Sequence, residues 1–129
     1  MTARLLDDTQ RRDWLRLISS ENVGPATFRH LVNRFGSAAA AIAALPDLSR
    51  KGGLIRPLEV YPAAAAERDL ARAAANGARF LAAGEPGYPP LLRTIDGAPP
   101  LICVKGDAAL VAREAVAFVG ARNASASGR

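Results

Sequence analysis

At 129 residues, half of them apolar, the chain can build one ordinary core, or one small domain and part of a second. Its longest apolar run, the alanines near 38 to 45, is broken by Pro46 and falls well short of the roughly 20 residues of a bilayer-spanning helix, so no membrane span is expected. The net charge of +5, with arginine outnumbering lysine fifteen to two, favours a polyanionic partner. The charges are dispersed among twelve carboxylates, however, so an ordinary solvated surface explains them equally well.

The N-terminal stretch turns acidic at Asp7 and Asp8, where a secretory signal would carry its apolar segment, so the protein is expected to stay in the cytoplasm. Residues 8 to 20 put Trp14, Leu15, Leu17 and Ile18 on one face at helical spacing, with Asp8 or Thr9 as cap. After the turn Glu21-Asn22-Val23-Gly24, Pro25 opens a second helix, whose Phe28, Leu31, Val32 and Phe35 recur at i, i+3, i+4 and i+7 and which Gly36 ends. Ser37 caps a third helix through Ala44, closed by Pro46. These three helices predict a small bundle over residues 1–60.

Residues 47 to 57 read as an irregular loop, followed by an alanine-rich helix from about Pro62 to Asn76 with a narrow packing face around Leu70, ended by Gly77. The period then changes to short apolar runs at 79–82, 101–104 and 115–119, which read as strands. The last is apolar on both faces, as in a central strand of a parallel sheet, and Cys103 reads as a buried strand residue. A parallel strand needs a crossover and neighbours, so residues 61–129 are expected to be an unfinished second domain, a linker helix and the first strands of a larger sheet. The fold class is therefore α/β with an all-α N-terminal domain, and the 1–60 unit is expected to fold alone.

Four places bear on chemistry. The turn Asn22-Val23-Gly24 has the outline of a helix-hairpin-helix turn, whose backbone N–H groups meet a DNA phosphate. Asn22 stands where that motif has glycine, and a plain packing turn is the competing reading. His30 is the single histidine and has no local acid or thiol, so it reads as a surface residue, and Tyr88 in Tyr88-Pro89-Pro90 reads as packed in a rigid turn in preference to stacking on a base. Most informative is Gly120-Ala121-Arg122, with Ser125 and Gly128 just beyond. A strand opening into glycine, alanine and serine lets N–H groups approach an anion, and Arg122 adds a charge-assisted bond, unless it merely braces the loop against Glu114. The spacing fits neither dinucleotide nor triphosphate loops, so no cofactor, metal or catalytic residue is assigned.

Three blocks, Tyr88-Pro89-Pro90-Leu91-Leu92-Arg93, Ala98-Pro99-Pro100-Leu101 through Lys105-Gly106-Asp107, and Val116 through Arg122, stand in the order and spacing of the DprA/Smf family, which the chain resembles over nearly its whole length. The resemblance implies a sterile-alpha-motif-like helical domain followed by the entrance to an extended Rossmann domain. It also implies a non-enzymatic protein that binds and protects single-stranded DNA, loads the RecA recombinase during natural transformation, and forms a homodimer when intact. The family's Gly-Ser-Arg DNA loop is matched by Gly120, Ala121 and Arg122, with Ser125 and Gly128 at later motif positions. Ala121 lacks the serine hydroxyl, and Ser127 stands where a tyrosine is common. The resemblance puts the family's further lysine, its dimer surface and its RecA surface beyond residue 129. Two readings compete: a nucleotide-hydrolysing enzyme of the lysine-decarboxylase-like Rossmann group, and a helix-hairpin-helix accessory protein that binds double-stranded DNA.

Overall fold

The computed structural model describes residues 4–53, 58–123 and 125–128. Its first helix, α1 (Asp8–Ile18), is capped by Asp7 and not by Asp8 or Thr9. Asp7 accepts the Gln10 N–H at 2.7 Å while Gln10 Oε1 accepts the Asp7 N–H at 3.0 Å, a reciprocal box that two residues further on could not close. Helix α2 (Pro25–Phe35) starts on its proline and ends at Gly36, whose φ of 87° is the left-handed turn-off that glycine adopts without strain.

Helix α3 (Ala38–Lys51) starts on the Ser37 hydroxyl as expected, but it does not stop at Pro46. Leu45 and Leu48 both pack against the core, and Ser49 Oγ donates to Leu45 O at 2.9 Å, so the second half of the helix is held by tertiary contacts despite the missing proline N–H. Part of the loop expected at 47 to 57 is thus helix, and residues 54–57 lie outside the described residues. The alanine-rich helix α4 (Ala63–Ala75) follows, and Gly77 turns the chain out of it at φ 71°.

Leu17, Val23, Phe28, Leu31, Ala38, Ala41 and Leu45 form the buried centre of the bundle, closed on its sides by Trp14, Ile18, Val32 and Phe35. Trp14 meets Phe28 edge to face with ring centroids 4.9 Å apart. Helix α4 packs against both α1 and the first strand.

Strands β1 (Ala78–Ala82) and β2 (Leu101–Lys105) pair antiparallel, with Phe80 opposite Cys103. Cys103 is exposed, contrary to its reading as buried: it borders an open pocket with Phe80, with Asp69, Arg72 and Ala73 of α4 and with the C-cap Asn76, and the helix does not close over it. The third expected strand is absent from the described residues. Residues 114–121 have no regular structure, and Val116, Phe118 and Val119 are 81%, 94% and 99% exposed. An apolar run becomes a strand only where a partner supplies its hydrogen bonds, and neither β1 nor β2 is that partner here. No helix among the described residues is long and apolar enough to cross a membrane.

Candidate nucleic-acid interface

A part-buried ion pair ties the helices to the strands across 74 residues of sequence. Arg11 reaches from α1 to Glu85, in the turn after β1, with Nη1 at 2.5 Å from Oε1 and Nη2 at 2.8 Å from Oε2. The same guanidinium donates to Phe80 O at 2.8 Å and Leu6 O at 3.0 Å. Glu85, its side chain 2% exposed, also accepts the Ala82 N–H at 2.7 Å and the Leu6 N–H at 3.2 Å. Burial pushes the Glu85 carboxyl up, but the Arg11 bond and the two backbone donors outweigh it and hold the group below its ordinary value. Local patterning could not reveal this pair, since neither residue sits in a motif.

The turn into α2 is equally well fixed. Asn22 adopts φ 60°, the left-handed conformation that this side chain tolerates, and Val23 is buried with its N–H on Ser20 O at 3.2 Å. Ser20 Oγ donates to Arg16 O at 2.6 Å and accepts the Tyr61 N–H at 3.0 Å. Gly24 stands at the N-cap with no side-chain bond to the first turn, so the positive end of α2 is not neutralised by a cap. The Glu21 carboxylate, accepting from Glu59 N at 3.1 Å, is a neighbour that a phosphate would find repulsive. His30 is exposed, as expected. Tyr88 is buried and its hydroxyl donates to Pro99 O at 2.6 Å, which is the rigid turn expected of Tyr88-Pro89-Pro90 and leaves the ring unable to stack on a base.

The Gly120 segment is placed differently from the expected strand-edge loop. After β2, Asp107 Oδ1 accepts the Ala109 N–H at 2.9 Å and caps a short 3-10 turn, Ala108–Ala112, and the chain then runs exposed to residue 123. Gly120, Ala121 and Arg122 lie in this run with their side chains in solvent, and no strand end stands behind them. Ser125 and Gly128 belong to the next turn, where Ser125 Oγ lies 3.4 Å from Ser127 Oγ and Ala126–Gly128 forms a single 3-10 turn. Among the described residues no hydrogen bond joins Arg122 to Ser125 or Gly128, and Arg122 forms no ion pair with Glu114. A Cβ built at Gly120 meets nothing within 4 Å, so the chain's own packing does not demand glycine there.

Among the described residues no group of three His, Cys, Asp or Glu side chains is placed to hold a metal ion. Comparison with known proteins bears on both halves of the chain. A family described as the DprA-like N-terminal HHH domain matches residues 8–72, and one described as DNA recombination-mediator protein A matches residues 79–129. A search of curated proteins finds no match.

Proposed function

Since the chain belongs to the family of DNA recombination-mediator protein A, whose members process DNA in recombination and transformation, we propose that it binds single-stranded DNA, shields it from nucleases and presents it to RecA. The observation that carries this reading is the match over residues 79–129, which takes in the exposed Gly120-Ala121-Arg122 run. In the proposed complex Gly120 and Gly128 let the backbone approach a phosphate, the Ser125 hydroxyl donates to it, and Arg122 supplies the charge. Consistent with that role, Arg122 is exposed and has no carboxylate partner among the described residues, and Gly120 has open space where a ligand would come close. The protein acts as a cytoplasmic binding module, not as an enzyme, and works as a homodimer when intact. Its division into units 1–60 and 61–129 is part of the same proposal, with α4 serving as the linker helix.

A second reading rests on the HHH description of residues 8–72. The uncapped N-terminus of α2 behind Asn22-Val23-Gly24 would contact a phosphate of double-stranded DNA through backbone N–H groups.

The test is Arg122→Ala, assayed on oligonucleotides of several sequences. Loss of a charge-assisted hydrogen bond should cost roughly 1.5 to 3 kcal/mol of single-strand binding, equally on each sequence, and reduce the salt slope by about 0.7. Arg122→Lys should restore part of the loss, because an ammonium cannot reproduce the planar fork. Unchanged affinity together with a lower melting temperature would make the arginine a brace and sink the assignment.

A further inference from the structure

A trough runs between the helical bundle and the turn that follows β1. It consists of two adjoining cavities of about 460 and 300 Å³ that share Trp14, Val32, Ala83 and Arg93 as walls. Arg4 lines the larger cavity, Arg29 the smaller, and Arg93 both, so each part has an arginine of its own and shares a third. Arg4 and Arg93 are exposed and form no ion pair with any described carboxylate, while among the described residues Arg29 makes one long bond, of 3.5 Å, to Ala98 O. Asp13, the one carboxylate among the lining residues, is turned to Arg12 at 3.3 Å. Trp14 is only partly covered by the core, meets Phe28 in an edge-to-face contact, and borders both cavities.

We propose that this trough is a second single-strand subsite, in which Trp14 and the small-residue wall at Ala83 receive a base while Arg93, with Arg4 and Arg29, binds the flanking phosphates. The inference rests on the single-strand reading above and extends it to the helical half of the chain. An aromatic side chain flanked by uncommitted arginines is the combination that holds single strands without reading their sequence, the ring taking any base by its face and the cations tracking the backbone. An apolar helix or peptide would leave these cations without partners, and a duplex would find its bases already stacked and out of reach of Trp14. The Arg11–Glu85 pair fixes the two walls relative to each other, because it joins α1, which carries Trp14, to the turn that carries Ala83 and Gly84.

The experiment follows binding of a fluorescein-labelled twelve-nucleotide oligothymidylate to the protein by anisotropy and, in parallel, by Trp14 emission, with Trp14→Phe identifying the signal. The expected result is quenching of Trp14 with the same midpoint as the anisotropy. Arg93→Ala alters an exposed side chain without touching the core, and it should weaken binding about tenfold or more, whereas Arg68→Ala, on the outer face of α4, should not. If anisotropy rises while Trp14 emission stays constant and Arg93→Ala binds normally, the trough is off the strand's path and this inference fails while the single-strand reading stands. Absence of any anisotropy change would overturn both. A Trp14 change that follows protein concentration without oligonucleotide would assign the trough to a second copy of the chain and likewise overturn it.

Discussion

Asn22 is the one residue other than glycine with positive φ among the described residues, and the turn into α2 depends on it. A left-handed conformation costs most side chains roughly 1 to 2 kcal/mol, which asparagine reduces and glycine avoids. Asn22→Ala is therefore expected to lower stability by about 1 kcal/mol in thermal or urea melts, while Asn22→Gly should match or exceed the original; equal melting for Ala and Gly would show that the turn relaxes without strain. Local chemistry made this residue legible in the sequence, and the same holds for Tyr88, whose neighbouring prolines already imply a rigid turn. Cys103 was not legible. Its apolar neighbours Ile102 and Val104 suggest burial, but exposure on a strand depends on which face is covered, and that is decided by elements distant in the chain.

At the level of elements, helices defined by a period and a cap were readable and strands were readable only as far as they find partners. The i, i+3, i+4, i+7 spacing of Phe28, Leu31, Val32 and Phe35, bounded by Pro25 and Gly36, specifies α2 completely. The runs at 79–82 and 115–119 look alike in composition, yet the first pairs with β2 and the second stands in solvent, because pairing is a property of two segments and composition a property of one. The expected stop of α3 at Pro46 failed for a related reason, since local propensity competes with packing, and Leu48 and Ser49 are drawn inwards beyond it. Proline within a helix leaves the carbonyl four residues back without its donor, here Ile42 O, and crowds the preceding turn. Pro46 is exposed, so Pro46→Ala should restore the helix bond without disturbing the core and stabilise the protein by about 1 to 3 kcal/mol in denaturant titrations. A destabilised Pro46→Ala protein would mean that the bend at this point is required by the packing of Leu48.

For the molecule as a whole, the packing of helices against strands is reinforced by a charge pair. Taking Glu85 and Arg11 out of water is costly, and the arrangement is tolerable because the carboxylate accepts four donors and the guanidinium reaches two further carbonyls. Arg11→Ala would leave a buried carboxylate with only its two backbone donors, at a cost of about 3 kcal/mol at neutral pH. Replacing both residues, as Arg11→Met with Glu85→Leu, should cost less than the sum of the single changes, because no charge is then left unpaired. The pH dependence has a definite sign. Because Glu85 is held below its ordinary value in the folded chain, its contribution is fully present above the unfolded value, near 4.3, and is lost as the pH falls through the lower folded value. Glu85→Gln lacks this titration, so its deficit relative to the original protein should be largest at pH 7 and narrow steadily below about pH 4. Melting both proteins between pH 7 and pH 3 checks this. A deficit that stays constant over the whole range would show that the carboxylate contributes by its shape and hydrogen bonds alone, and that the charge does not hold the two halves together.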